Sequence, residues 1–321
     1  MRVPQEGRVA VVGTGTIGTS WAVRFLARGF SVVATDPGPG AEARLRREVE
    51  GHWPLLERLG LADGASLNNL SFTADPAEAV SDVEFVQENG PEREDVKREL
   101  FAVLDAAAWP DVVLASSSSS LLPSVIARGC TKNPQRVIVG HPFNPPHLIP
   151  LVEVVAAQTT SEMSVERALA FYRRAGQRPV RLRRELPGFI ANRLQAALWR
   201  EACWLVQQGV ASVADIDTAI SSGPGLRWAA LGPFANMHLS GGAHGIAHVL
   251  AHLGPAMEHI WSDLRDVTLT PELCEQLIEG INEELSGIEL PELVAGRDAV
   301  LIDLLAHRSR PEGVFEPSNG S

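Results

Sequence analysis

The stretch RVAVVGTGTIGTS, residues 8–20, decides the fold, because an apolar run breaks there into glycines that open an amphipathic helix. Val9, Ala10, Val11 and Val12 read as a short buried strand. Gly13, Gly15 and Gly18 stand in G-x-G-x-x-G spacing. The first glycine makes a tight turn, the second removes a Cβ that would block a pyrophosphate, and the third lets helix and strand approach. A dinucleotide phosphate then rests on the helix N-terminus at Thr16, Ile17 and Gly18, where unpaired N–H groups and the helix dipole favour negative charge.

The motif alone is weak, and its surroundings carry the reading. Ile17, Trp21, Val23, Phe25 and Leu26 give helical spacing up to Gly29, a C-terminal stop. A second apolar run, residues 31–35, ends in Asp36, 23 residues after Gly13, where a carboxylate accepts hydrogen bonds from the adenosine ribose hydroxyls. The plainer reading of Asp36 is a turn residue before Pro37-Gly38. A carboxylate there repels a 2′-phosphate, which favours NAD over NADP, with Arg44 and Arg46 the nearby cations that could reverse the preference.

With 321 residues and 45% hydrophobic content the chain can bury a sizeable core in about two domains. No apolar stretch reaches the roughly 18 residues of a membrane span, and MRVPQEGR has no signal-peptide core, so a soluble, cytoplasmic protein is expected. Cys130, Cys203 and Cys274 are odd in number and widely spaced, which points to neither a disulfide framework nor zinc. A net charge of −11 argues against nucleic-acid and anionic-membrane partners.

Along the chain, residues 40–60 read as a helix, and residues 61–67 as the second arm of a helical hairpin. Strands are expected at 70–73, 83–87 (ending at Glu88-Asn89), 112–115, 137–139, 151–155 and 180–182. Helices are expected at 76–80, 91–107 (apolar face Val96, Leu100, Val103 and Leu104) and 161–175. Residues 116–120 are five serines between apolar segments, a loop at the C-terminal end of a parallel strand, where open α/β sheets place ligands. From Gly188 to Leu305 the periodicity is helical. The expected plan is α/β: a Rossmann-type, doubly wound domain at 1–186, an all-helical domain for substrate and dimerisation at 187–310, and a flexible tail at 311–321.

His141 begins a Pro-rich turn after a strand, and Glu153 lies 12 residues later inside LVEVV. A carboxylate in such a strand is costly to bury without a partner. A strand–turn–strand of this length can return Glu153 beside His141, where it would take the Nδ1 proton, fix the tautomer and leave Nε2 as a general base for an alcohol. Spacing leaves a second reading open, with Glu153 facing water on an edge strand and His141 capping a turn.

HPFNP, the Glu of PLVEVV and PGFIANR at 187–193 together resemble the 3-hydroxyacyl-CoA dehydrogenase superfamily of NAD-dependent oxidoreductases, over nearly the whole chain. The resemblance implies a dimer built through the helices, His141 and Glu153 as the catalytic dyad, and Ser119 and Asn192 bound to the substrate oxygen near the nicotinamide. Asn144 would support His141 or the substrate, and it is counted with Glu88 among the cofactor contacts. The family's Ser-Asn-Thr-Ser-Ser loop is all serine here, which keeps the hydroxyl at Ser119 and loses the amide at Ser117. SSSSSLLPS, ALWREACWLV and GLRWA followed by HLSGG resemble the branch that holds L-carnitine dehydrogenase and the lambda-crystallin/L-gulonate 3-dehydrogenase proteins.

That branch implies a 3-hydroxy acid interconverted with its 3-keto form, with L-carnitine as leading substrate. L-gulonate, a 3-hydroxyacyl thioester and a polyketide-type intermediate are the rival substrates. A crystallin-like protein that holds NAD without turnover is the rival of another class, and intact His141, Glu153, Ser119 and Asn192 argue against it. Arg227 could clamp a carboxylate, and Trp228, Trp199 or Phe143 could face a trimethylammonium. Equally, Arg227 could pair with an acid, and the tryptophans could be core. His244, His248 and His252 share a helix face without an acidic or Cys ligand and read as a solvated or interface face; no metal is expected.

Overall fold

The computed structural model describes residues 5–308, so the expected tail at 311–321 lies outside the described residues. The chain divides into two compact units, residues 1–191 with 298–307 and the remainder. The first contains β1 (Arg8–Val12), α1 (Thr16–Ala27), β2 (Ser31–Thr35), α2 (Ala41–Leu59), β3 (Leu70–Thr73), α3 (Pro76–Ala79), β4 (Phe85–Glu88) and α4 (Glu94–Ala107). It continues through β5 (Val113–Ser116), α5 (Pro123–Ile126), β6 (Val137–Pro142), β7 (Leu151–Ala156), α6 (Glu162–Arg174) and β8 (Arg178–Arg181).

The eight strands lie in the order β3-β2-β1-β4-β5-β6-β7-β8. The first six are parallel; β7 runs antiparallel to β6, and β8 parallel to β7. The chain reverses its direction of travel across the sheet between β1 and β4, and at such a switch point the loops leaving the two strands diverge and open a crevice. Strand residues alternate between two cores. Val9, Val11, Val32 and Ile138 pack with Trp21, Phe25 and Phe171 on one face, while Ala10, Val12, Val86 and Val139 pack with Phe101, Leu104 and Ile126 on the other.

Three expectations change. Residues 61–67 form no second helical arm: the chain leaves α2 at Gly60 and is pinned to the end of α1 by Ala62 N, which donates to Ala27 O at 3.0 Å. The helix expected from 91 starts at Glu94, with Glu94 and Asp95 in its first turn. Its buried stripe is Lys97, Phe101, Leu104 and Asp105, whereas Val103 is exposed, because Lys97 and Asp105 find ionic partners inside. β6 also runs past Val139 through His141 and Pro142, so His141 belongs to the strand rather than to the turn.

The second unit is helical. α7 (Ala191–Gln207) begins in the first unit and enters it; α8 (Val213–Ser221), α9 (Pro224–Ala230), α10 (Pro233–Ser240), α11 (Gly245–Asp263) and α12 (Pro271–Glu284) follow, and α13 (Leu290–Arg308) begins there. Ser212 and Asp215 form a reciprocal capping box at the start of α8. Its buried apolar side chains, among the described residues, are Cys203, Val249 and Leu273, while Leu194, Leu198, Phe234, Leu250 and Trp261 are exposed. No described helix is long and apolar enough to cross a membrane.

Candidate active site

A cleft opens at the switch point. Gly13 turns with φ 88°, and a Cβ there would lie 2.9 Å from both the carbonyl carbon and oxygen of Asn89. A Cβ on Gly18 would collide with the carbonyl oxygen of Gly13, so α1 reaches β1 only without one. Around Gly15 a Cβ would meet nothing, which leaves the backbone bare toward the cleft. Gly15 caps α1 without a side-chain hydrogen bond, and the first turn holds no acid, so the amides of Thr16, Ile17 and Gly18 are left to an anion.

The cleft, about 670 Å³, is lined by Gly13, Gly15, Asp36, Asn89, Val96 and Leu100, among others. Asp36 Oδ2 accepts from Thr14 N (2.7 Å) and Oδ1 from Gly38 N (2.8 Å). Burial pushes the Asp36 carboxyl up, but the Thr14 and Gly38 amides, the Thr14 hydroxyl and the Arg44 charge outweigh it and hold the group below the usual range. Each oxygen keeps lone-pair capacity for a diol. Val96 and Leu100 give the cleft an apolar wall suited to a flat base, and Leu100 also packs against the core as expected. These features fit a dinucleotide.

His141 and Glu153 are direct cross-strand partners on β6 and β7, and His141 Nδ1 lies 2.9 Å from Glu153 Oε2. Both are buried, and β7 lies between β6 and β8, so Glu153 is not on an edge. The other carboxylate oxygen accepts from Ile190 N (2.8 Å) and Ala191 N (3.0 Å). Burial pushes the Glu153 carboxyl up, yet the bonds from His141, Ala191 and Ile190 together hold it below the ordinary range. An imidazole whose Nδ1–H is tied to an ionised carboxylate presents a lone pair at Nε2, where it can take and return a proton. Phe143 and Phe189 flank the ring at centroid distances of 5.4 and 5.2 Å. Phe189 is fully buried at φ 51°, a left-handed conformation costing about 1–2 kcal/mol for a residue with a Cβ, just before the two amides that Glu153 captures.

Ser119 is exposed on the loop after β5, and Asn144 is exposed after β6. Glu88 is read differently from the sequence: its carboxylate is fully buried, paired with Lys97 Nζ (2.8 Å) and accepting from Ser116 Oγ (2.6 Å) and Gly90 N (2.5 Å). It braces the loop, and Asn89, Gly90 and Pro91 face the cleft in its place. In the second unit Asn192 is half-buried in the first turn of α7, and Trp199, Arg227 and Trp228 are exposed. No ring or cation–π contact joins these last three among the described residues. His244, His248 and His252 form an exposed ladder with centroid spacings of 6.0 and 4.0 Å.

Sequence reading missed Glu92. Its Oε1 accepts from Ser118 Oγ (2.5 Å), Ser120 N (2.8 Å), Ser120 Oγ (2.8 Å) and Leu121 N (3.3 Å), clasping the serine loop on both sides of Ser119. Burial pushes the Glu92 carboxyl up, and the Ser118 and Ser120 bonds with the Lys97 charge bring it below the usual range. The available signal was a lone lysine, Lys97, on the stripe shared with Phe101 and Leu104, which requires interior acids nearby.

Residues 8–186 match the family model for the 3-hydroxyacyl-CoA dehydrogenase NAD-binding domain, and residues 188–276 the model for its C-terminal domain. The chain is 50% identical over 303 residues to an L-carnitine dehydrogenase of Streptomyces coelicolor, covering 94% of this chain and 95% of the relative. It is 45% identical over 298 residues to one of Bacillus cereus, covering 93% and 91%. A solved structure of 5-formyl-3-hydroxy-2-methylpyridine 4-carboxylic acid 5-dehydrogenase, an NAD-dependent dismutase, superposes with TM-score 0.80 at 28% identity, covering 94% of this chain and 97% of that one. With both family regions present in tandem, the chain belongs to the 3-hydroxyacyl-CoA dehydrogenase family.

Proposed function

We propose that this NAD-dependent 3-hydroxy acid dehydrogenase acts on L-carnitine, forming 3-dehydrocarnitine, NADH and a proton. Identity of 45–50% to L-carnitine dehydrogenases over more than nine-tenths of the chain carries the choice of substrate. Bound NAD supplies the hydride acceptor. The amides of Thr16, Ile17 and Gly18 with bare Gly13 and Gly15 hold its pyrophosphate, Asp36 its adenosine ribose, and Val96 and Leu100 its adenine face.

His141 Nε2 takes the hydroxyl proton as the C3 hydride leaves, and Glu153 stabilises the imidazolium that forms. Ser119 and Asn192 hydrogen-bond the reacting oxygen, and Asn144 supports the His141 end of the site. Arg227 is assigned to the carboxylate, and Trp199, Trp228 and Phe143 to the trimethylammonium. The exposed apolar side chains of the second unit support a homodimer through the helices, read by light scattering. Three free cysteines fit a reducing, cytoplasmic setting.

NADH absorbance with L-carnitine, L-gulonate, 3-hydroxybutyrate and its CoA ester tests the reading. Turnover is expected with L-carnitine at a kcat/KM at least about 10²-fold above the others, the scale on which a pocket separates substrates that differ by one or a few groups. Silence on L-carnitine overturns it. Glu92→Gln is expected to lower kcat about tenfold with little change in NAD affinity, since a weakened clasp lets Ser119 drift from the reacting oxygen. Single-turnover rates check this.

A further inference from the structure

The proposed chemistry makes no use of Tyr172, Gln87, Ser117 or Trp21, yet their polar atoms form one chain that runs from the buried Tyr172 and Gln87 through half-buried Ser117 to Asn89 at the cleft. Tyr172 Oη donates to Gln87 Oε1 (2.6 Å), Gln87 Nε2 to Ser117 Oγ (2.8 Å) and Ser117 Oγ to Asn89 Oδ1 (2.7 Å). Asn89 Nδ2 donates back to Gln87 O (2.9 Å). Trp21 Nε1, from α1, supplies a second donor to Ser117 Oγ at 3.2 Å. A serine hydroxyl has one proton and two lone pairs, and at Ser117 all three are engaged; Trp21 Nε1 can only donate and Asn89 Nδ2 is committed to Val12 O and Gln87 O, so Ser117 gives its proton to Asn89 Oδ1 and accepts from Gln87. Donors therefore run one way from Tyr172 to Asn89, and bonds in such a chain strengthen one another. Burial pushes the Tyr172 phenol well above its usual range, so it remains a donor.

The two ends of the chain touch the two halves of the site. At one end Asn89 is wedged under the glycine turn: Asn89 N donates to Val12 O (2.7 Å), and its backbone fills the space beside Gly13. Its Nδ2 would lie 3.4 Å from a Cβ on Gly18. At the other end Tyr172 Oη occupies the place a Cβ on Gly140 would need, and Gln87 Nε2 reaches Gly140 O at 3.4 Å. Gly140 immediately precedes His141 in β6.

We propose that Ser117 is a positioning residue, the node through which the glycine turn and the His141 strand are held at a fixed separation. The hydroxyl suits this task because it accepts two donors and gives one proton at a single atom, whereas an amide would bring two further donors to a point already crowded with them. The inference rests on the cleft being the cofactor site.

The test measures NAD dissociation constant, kcat at saturating NAD and melting temperature on the full chain. The variants are Ser117→Ala, Tyr172→Phe and, as a control for the cleft, Asp36→Ala. Ser117→Ala strands two donors and one acceptor, and it is expected to raise the NAD Kd about tenfold. Tyr172→Phe removes one oxygen without altering the aromatic packing and is expected to raise it about threefold. A lowered melting temperature with Kd within about twofold of wild type in both variants overturns the proposal, because a merely structural network would lower stability alone. If Ser117→Ala does not fold, Tyr172→Phe decides by the same criterion. Unchanged affinity in Asp36→Ala removes the cleft reading and this proposal with it; weakened affinity in Asp36→Ala alone removes only the role of Ser117.

Discussion

Replacing Glu153 with glutamine is expected to lower kcat by about 10³–10⁴-fold while NAD affinity stays within about twofold of wild type. The magnitude follows from the tautomer. Glu153 Oε1 already accepts from Ile190 N and Ala191 N, so a glutamine keeps its carbonyl there and turns its NH2 toward His141 Nδ1. The imidazole must then accept at Nδ1 and carry its proton on Nε2, the atom that has to receive the substrate proton. Geometry survives and the base is lost. His141→Gln is expected to fall by a similar factor, and the double variant by little more, because the two act as one unit. Stopped-flow NADH formation and NAD titration separate chemistry from binding; activity above a tenth of wild type in either variant removes the pair from the mechanism.

The same carboxylate makes a pH prediction. Its folded-state pKa lies below its unfolded value, so the stability it contributes is present above the unfolded value and is lost as pH falls through the folded one. The stability difference between wild type and Glu153→Gln is expected to shrink on the acid side of the ordinary glutamate range, measured by denaturation at stepped pH.

Much of this site could be read from the sequence because its parts are either local or periodic. The glycine turn, Asp36 and the strands around them lie within 30 residues and carry a repeat that only a β-α-β unit satisfies. A lone acid in an apolar strand needs a partner, which makes His141 a candidate for Glu153 and leaves an edge-strand reading open until β8 is seen to cover β7. Lys97 obeys the same rule and went unread, since its partner Glu88 belongs to another element and only the packing of α4 shows that both turn inward. Val96 shows how the face of α4 can be misread: it lines the cleft beside the glycine turn while Leu100 both lines it and packs on the core, and a one-dimensional pattern does not separate a cleft wall from a core. Glu92 and Ser117 escaped for a third reason, as both are polar residues in loops whose significance depends on where their hydrogen bonds end. The roles proposed for Trp199, Arg227 and Trp228 have no such local signature.

The pair of changes Asp36→Ser and Pro37→Arg is expected to move cofactor preference from NAD to NADP, with kcat/KM for NAD falling about 10²-fold and the ratio of the two cofactors shifting by about 10³ or more. Two charge-assisted hydrogen bonds from the ribose diol are lost with the carboxylate, each worth roughly 1.5–3 kcal/mol before a serine recovers part of one. The gain for NADP comes from the local field. Asp36 is the only acid whose side chain lines the ribose end among Thr35, Asp36, Pro37 and Gly38, and Arg44 stands close enough for its Nη2 to lie 3.4 Å from a Cβ on Gly38. With Asp36 ionised that guanidinium is offset, and its Nη1 is held by Pro39 O at 2.7 Å; Arg46 is occupied by Glu42 at 2.8 Å. Removing Asp36 uncovers the Arg44 charge at the place a 2′-phosphate would enter, and an arginine at position 37 adds a second, bidentate donor. Initial rates with both cofactors at saturating substrate decide the matter. A variant that still prefers NAD shows that the ribose is recognised by some residue other than Asp36, and the assignment of the glycine-loop cleft as the dinucleotide site would have to be given up.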